Sequence, residues 1–318
     1  MKKVLVLLNP DEKRKAALES AAPDCRFLYH RPGEETEEEV RSASVILGNP
    51  KPALIRGSET LEWLQLTTAG TDAYMRPGVL APDTVLTNAT GAYGKSVAEH
   101  AFAVTLMLLK KLHLYRDNQR EARWRYMGRV RTLSECTVAV IGLGDIGETY
   151  ARLVKAMGAR VIGVKRRPSP CPDCVDKLVL TEQTDEILPE ADVIFSILPH
   201  TPATIHFFDR ERLGRLKPDA VFINCGRGSA VDEEALYEVL SEGRIAAAGI
   251  DVTETEPLPP ESPLWGLENL MITPHSSGGT SLKSTKEKIL VIAEENLAAW
   301  AAGKELRNLV DRTTGYKN

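Results

Sequence analysis

Three kinds of side chain that move protons or hold anions follow apolar runs in the second half of the chain. Phe222-Ile223-Asn224-Cys225-Gly226-Arg227-Gly228 sets an arginine between glycines. Gly249-Ile250-Asp251-Val252-Thr253-Glu254-Thr255-Glu256-Pro257 carries three acids, and Thr273-Pro274-His275-Ser276-Ser277-Gly278-Gly279 carries a histidine. A guanidinium can orient a carboxylate and a carbonyl through its planar fork. An imidazole beside a carboxylate can hold and release a proton near neutral pH. If the preceding runs are parallel strands, all of these groups emerge at one edge of one sheet. Each alone has a plainer use, the arginine as a surface ion-pair partner and the histidine as a satisfied loop residue. It is their convergence that would make a site.

A second pattern supplies what such a site would act with. Val138-Ala139-Val140-Ile141-Gly142-Leu143-Gly144-Asp145-Ile146-Gly147 is a buried-strand run leading through G-x-G-x-x-G into a helix. Gly142 permits the tight turn, Gly144 allows close approach of a pyrophosphate, and Gly147 lets helix and strand pack. The amides around Asp145 and Ile146 then open a helix whose N-terminus favours anions. The charge of Asp145 opposes a pyrophosphate, so its side chain is expected to point away. About 20 residues further, an acid would hold the ribose of NAD, but here the chain reads Val164-Lys165-Arg166-Arg167-Pro168. Lys165, Arg166 and Arg167 suit the extra phosphate of NADP, so NADP(H) is expected over NAD(H), with NAD(H) still possible.

These residues need a scaffold, and 318 residues, 43% hydrophobic and 26% charged, make two ordinary globular domains the natural expectation. Short apolar runs alternate with helix-like stretches, the pattern of a parallel α/β fold. Strands are expected at 4–8, 44–47, 64–68 and 85–87, and in a second series at 137–142, 160–164, 192–198, 220–224, 246–251 and 270–273. Helices are expected at 146–157, 184–188 and 232–242, the last capped by Asp232 and closed at Gly243. Residues 96–120, free of proline and glycine, read as one long buried helix that links the domains and packs against a second subunit. Ile289, Ile292, Ala293, Asn296, Leu297 and Trp300 share one face of a helix over 281–302. The expected fold class is therefore α/β, with two Rossmann-like, doubly wound parallel-sheet domains and a cleft between them. Residues 1–95 with 281–318 would form a flavodoxin-like substrate domain, and 96–280 the NAD(P)-binding domain.

Other partners are argued against. The apolar run 101–109 is far shorter than the roughly 20 residues that span a bilayer, and the N-terminal run reads as a strand, not a signal peptide. A formal net charge of −4 gives nucleic acid no general attraction. Five cysteines, an odd number, suit a reducing cytoplasm. Cys171-Pro172-Asp173-Cys174 lacks the second half of a zinc site, so no metal is expected and a plain loop is the better reading.

With VAVIGLGDIG, ADVIFSILPHTPAT, KPDAVFINCGRGSAVDEEAL, AAAGIDVTETEPLP and ITPHSSGGT in this order, nearly the whole chain resembles the D-isomer-specific 2-hydroxyacid dehydrogenase family. The basic turn resembles that of its glyoxylate/hydroxypyruvate reductase branch. The resemblance implies hydride transfer between a nicotinamide cofactor and a small 2-keto or 2-hydroxy acid, with Arg227, Glu256 and His275 as the catalytic set. The acid immediately before Pro-Leu selects Glu256 over Glu254. The resemblance also implies that Ala69 and Gly70 offer N–H groups to the substrate carboxylate and that Asp251 holds the nicotinamide amide. Leu198, Pro199, Thr204, Cys225, His275 and Gly278 would line the cofactor. Two alternatives stand beside this reading: a phosphoglycerate dehydrogenase-like enzyme, although no C-terminal regulatory domain is expected after Asn318, and a nucleotide-sensing binding protein on the same scaffold.

Overall fold

The structure, a computed structural model, describes residues 1–279, 281–313 and 316–317. The chain divides into two compact units, Met1–Tyr93 with Thr280–Asn318, and Gly94–Gly279. The first unit opens with β1 (Lys2–Val6), α1 (Glu12–Ala21), β2 (Cys25–Tyr29), α2 (Glu37–Ser42), β3 (Val45–Leu47), α3 (Pro52–Ile55), β4 (Trp63–Gln65) and β5 (Val85–Thr87). Its sheet runs β2-β1-β3-β4-β5 with every pair parallel, the flavodoxin-like order.

Side-chain alternation along the strands separates two cores. Val4 and Val6 pack with Leu18, Val45, Leu47 and Trp63 on one face. Leu5 and Leu7 pack with Val40, Ile46, Ile55 and Leu64 on the other. The acidic run around residue 37 becomes a helix because Thr36 and Glu39 close a capping box on it.

The second unit begins with α4 (Gly94–Leu109) and α5 (Leu112–Arg120). The expectation of one helix over 96–120 is corrected here: Lys111 takes a left-handed backbone, φ 57°, and ends α4. Its Nζ donates to the Met127 carbonyl at 2.7 Å, and the Arg131 amide returns to the Leu109 carbonyl at 3.1 Å. The last carbonyl of α4, that of Leu109, is thus met by a tertiary contact, and those of Leu106 and Leu108 by the amides of Lys110 and Lys111, without a glycine.

There follow β6 (Thr137–Ile141), α6 (Asp145–Ala156), β7 (Arg160–Lys165), β8 (Lys177–Leu180), α7 (Thr184–Ile187) and β9 (Val193–Ser196). Then come α8 (Arg210–Gly214), β10 (Val221–Asn224), α9 (Glu233–Ser241), β11 (Ala247–Ile250) and β12 (Leu270–Ile272). The seven-stranded parallel sheet has the order β12-β11-β10-β9-β6-β7-β8. That is a dinucleotide-binding arrangement with one strand added at an edge. The third strand of the series is therefore β8, which the apolar-run reading passed over, and β12 is a seventh.

Helix α4 lies on this sheet at β10 and β11, with Val104 where a side chain on Gly249 would stand. The chain returns to the first unit as α10 (Lys283–Ala301) and ends with the pair β13 (Val310–Asp311) and β14 (Tyr316–Lys317). Leu297 of α10 joins the core of β1, β3 and β4. Among the described residues, no helix is long and apolar enough to cross a membrane.

At the opposite end of the second sheet from its glycine loop, Asp192 takes three partners while only 8% exposed. Its carboxylate accepts from the Thr137 amide at 2.6 Å and Lys217 Nζ at 2.8 Å, and Arg131 Nη2 lies 2.7 Å away. Burial alone would raise this carboxyl, but Lys217, the Thr137 amide and Arg131 together outweigh it and hold it below the ordinary range. A depressed carboxyl stabilises the fold above its unfolded-state pKa of about 3.9, and that contribution disappears as pH falls through the lower folded value. Asp192→Ala, which leaves Lys217 without its carboxylate and Arg131 with only the more exposed Asp219, should cost about 3 kcal/mol in urea unfolding at neutral pH. The deficit should shrink as pH falls below about 4; an unchanged urea midpoint at pH 7 would contradict this account.

Candidate functional site

The C-terminal ends of β6, β7, β9, β10, β11 and β12 all open at the same edge of the seven-stranded sheet. After β6, Gly142 stands at φ +102°, and the Cβ position of Gly144 opens on empty space within 4 Å. A Cβ on Gly147 would run into the Gly142 carbonyl, so helix and strand meet without a side chain between them. No side chain caps the first turn of α6. Its amides, including those near Asp145 and Ile146, remain available to an anion. The Asp145 carboxylate stands 2.5 Å from where a Gly94 side chain would begin, at the start of α4. These features fit a dinucleotide pyrophosphate.

At the end of β7, Arg166 and Arg167 are exposed and, among the described residues, bond to nothing. Lys165 differs from them, since its Nζ reaches Ser169 Oγ at 3.2 Å and Glu148 Oε1 at 3.5 Å. After β9, Thr204 Oγ1 donates to the Pro199 carbonyl at 2.6 Å and accepts from the Thr201 amide at 2.9 Å, folding the loop that begins at Leu198. That loop touches the next: a side chain on Gly226 would lie 2.5 Å from the Leu198 carbonyl oxygen. Cys225 is buried, and burial, helped by the Asp251 charge, pushes its thiol far up.

Arg227 leaves β10 in a turn fixed by Asn224, whose Nδ2 donates to the Arg227 carbonyl at 3.0 Å and whose Oδ1 accepts from Gly226 N–H at 3.2 Å. The Arg227 Nη1 donates to the Gly226 carbonyl at 2.8 Å. Gly228 rests directly on the backbone of Thr253 with no space for a Cβ. The arginine turn and the acidic loop are therefore one packed unit.

In that loop the three acids part company. Glu256 Oε2 lies 2.8 Å from His275 Nδ1, and its Oε1 accepts from the Thr253 amide at 3.2 Å. Glu254 instead pairs with His206 Nε2 at 2.9 Å, and its N–H donates to Glu233 at 2.6 Å. Burial foremost, with the charges of Glu254 and Glu256, pushes the Glu233 carboxyl up. With Glu256 ionised, His275 carries a proton on Nδ1. Among the described residues its Nε2 has no partner.

Asp251 is 1% exposed. Its Oδ1 accepts from Thr273 Oγ1 at 2.6 Å and the Ser276 amide at 2.9 Å, and its Oδ2 from the Ser277 amide at 3.0 Å. Three of the roughly four acceptor positions of a carboxylate are thus used inside the chain. Gly278 follows in the turn that Gly279 N–H closes on the Ser276 carbonyl at 3.2 Å.

Ala69 and Gly70 lie in the other unit, after β4. Their carbonyls are held, Ala69 by Asn88 Nδ2 at 2.8 Å and Gly70 by Thr68 Oγ1 at 2.8 Å. Among the described residues their own N–H groups donate to nothing. The reading of the sequence passed over His206, Glu233, Ser96 and His100. Only the last two left a signal, polar residues one turn apart on an otherwise apolar helix face. Cys171 and Cys174 turn to different carbonyls, of Val175 and Glu148.

A profile of the NAD-binding domain of D-isomer specific 2-hydroxyacid dehydrogenases matches residues 102–277. Over 235 residues the chain is 31% identical to a glyoxylate reductase of Korarchaeum cryptofilum (strain OPF8), covering 71% of this chain and 69% of that protein. A D-isomer specific 2-hydroxyacid dehydrogenase of Xanthobacter autotrophicus Py2, solved with NADPH and MES, superposes with a TM-score of 0.82 at 30% identity, covering 99% of both chains. The NADPH-dependent glyoxylate/hydroxypyruvate reductase of Sinorhizobium meliloti, solved with NADP and sulfate, gives 0.83 at 27% identity, covering 99% of this chain and 100% of that one. The chain belongs to the D-isomer specific 2-hydroxyacid dehydrogenase family and is an NAD(P)-dependent oxidoreductase acting on CH–OH groups.

Proposed function

We propose that this protein reduces a small 2-keto acid such as glyoxylate or hydroxypyruvate to its D-2-hydroxy acid, or runs the reverse, with NADP(H) preferred over NAD(H). The observation that carries this reading is the His275–Glu256 pair, 2.8 Å long, with the histidine Nε2 left over for a ligand. A bound nicotinamide cofactor supplies or takes the hydride. His275 donates a proton from Nε2 to the oxygen that gains charge in reduction and takes it back in oxidation. Glu256 fixes the ring through its contact with Nδ1. Arg227 orients carboxylate and carbonyl and offsets the developing negative charge. The N–H groups of Ala69 and Gly70 receive the substrate carboxylate, and Asp251 has one acceptor position left for the nicotinamide amide. Leu198, Pro199, Thr204, Cys225 and Gly278 border the cofactor.

The cofactor preference rests on Arg166 and Arg167, exposed at the end of β7 with no acid beside them. Their fixed charge suits a 2′-phosphate, with Lys165 partly committed to Glu148. A homodimer is supported by what α4 and the segment after it leave uncovered. Phe102, Leu106 and Met107 are only partly buried, Leu112 is 53% exposed, and Trp124 and Tyr126 are exposed. The five cysteines are all free thiols, which agrees with a cytoplasmic setting.

Three measurements test this reading. With glyoxylate, hydroxypyruvate, phosphohydroxypyruvate and branched 2-keto acids as the panel, His275→Gln should lower kcat by about 10²–10⁴ on the best substrate; near-original turnover removes its acid/base role. The unaltered enzyme should show the higher kcat/KM with NADPH, and Arg166→Asp should narrow or invert that ratio. A preference for NADH before any substitution overturns the cofactor reading. Light scattering at micromolar concentration should give the mass of two chains, and the mass of one would refute the dimer.

A further inference from the structure

We propose that Ser96 and His100, one helical turn apart on α4, are positioning residues that hold the His275 segment from both sides. This inference rests on the assignment of His275 as the acid/base group. His275 sits at φ 49°, in a region that side-chain-bearing residues rarely adopt. Something must therefore hold the backbone there, and residue 251 supplies the first part. Its carbonyl accepts the His275 N–H at 2.7 Å, and its carboxylate accepts the next two amides, those of Ser276 and Ser277. Three consecutive N–H groups thus converge on one residue at the end of β11.

The second part comes from α4. Thr273 Oγ1 uses its one proton on Asp251 Oδ1, at 2.6 Å, so towards His100 Nε2, 3.1 Å away, it can only accept. His100 therefore carries its proton on Nε2 and donates it. Ser96 Oγ donates to the Ser277 carbonyl at 2.7 Å. One side chain thus grips the segment two residues before His275 and the other two residues after it. Neither contact is to the imidazole itself.

Helix α4 is a firm base for this grip, because Val104 fills the space above Gly249 and Thr105 Oγ1 meets the buried Tyr150 hydroxyl at 2.8 Å. The proton of His275 is thereby aimed from the body of the sheet. Misplacing a reacting group by about 1 Å can cost on the order of 10² in rate, so the effect belongs in kcat and not in cofactor affinity.

The test uses the full chain. His100→Leu should lower kcat by about 10–100-fold while KM for the cofactor stays within about twofold, and His100→Gln, which keeps an N–H near the same place, should restore most of the loss. Ser96→Ala should lower kcat by a smaller factor in the same pattern. Independently of activity, backbone amide exchange at Ser276 and Ser277 should accelerate in His100→Leu and in Ser96→Ala, with the thermal unfolding midpoint checked so that a general loss of fold is recognised. If a folded His100→Leu keeps both kcat and amide protection, or if glutamine restores nothing, the proposal is overturned. If His100→Leu does not fold, Ser96→Ala decides alone by the same two readouts. Full turnover in His275→Gln would instead overturn the acid/base assignment, and the exchange measurement would still decide whether α4 holds the segment.

Discussion

Parallel register is the constraint from which the rest follows. In the seven-stranded sheet each strand hydrogen-bonds its neighbours in the same direction, so every carboxyl end opens at one edge. Residues as far apart as Gly142 and His275 are gathered there without any loop having to reach. The loops themselves are then fixed against each other by close backbone contact. Gly226 lies under Leu198 and Gly228 under Thr253, each position admitting no side chain. Glycine at these places is a packing requirement between neighbouring loops, separate from the conformational freedom that Gly142 uses.

Two histidine–glutamate pairs illustrate how position, not residue type, sets chemistry. His206 and Glu254 lie 2.9 Å apart, as close as His275 and Glu256 at 2.8 Å. Glu254 is also tied to the start of α9, through its N–H on Glu233 and the Glu233 N–H on its own carboxylate at 3.4 Å. It anchors a loop. Glu256 is held through a single amide of its own loop and spends its other oxygen on the imidazole. The two pairs therefore differ in the glutamate, which in one is committed to the start of a helix and in the other only to its own loop and the imidazole.

Much of this was legible in the sequence because the central strands are buried on both faces and read as unbroken apolar runs, as in Val138–Ile141 and Val221–Ile223. Of the strands in the two large sheets, the two that were passed over, β2 and β8, are edge strands. Neither has more than one fully buried residue, and Arg26 and Lys177 interrupt or open them. Burial, the source of the apolar signal, is weakest there. The break between α4 and α5 had no signal either, since the left-handed residue is a lysine, and the partners that hold the break, Met127 for Lys111 and Arg131 for Leu109, lie 16 and 22 positions further on. The arginine, histidine and glycine loop were legible by type and setting. The choice between Glu254 and Glu256 was not a matter of composition or spacing. It rests on the family pattern, and in space the two glutamates differ in which histidine each one meets.

The left-handed residue at Lys111 has a mechanical consequence. A continuous helix would transmit any torque applied to its far end along its whole length. Here α5 and the exposed stretch around Trp124 join α4 through one sharp backbone turn, pinned by a lysine contact and a single amide. The turn gives that stretch a point at which to bend that an unbroken helix would not have.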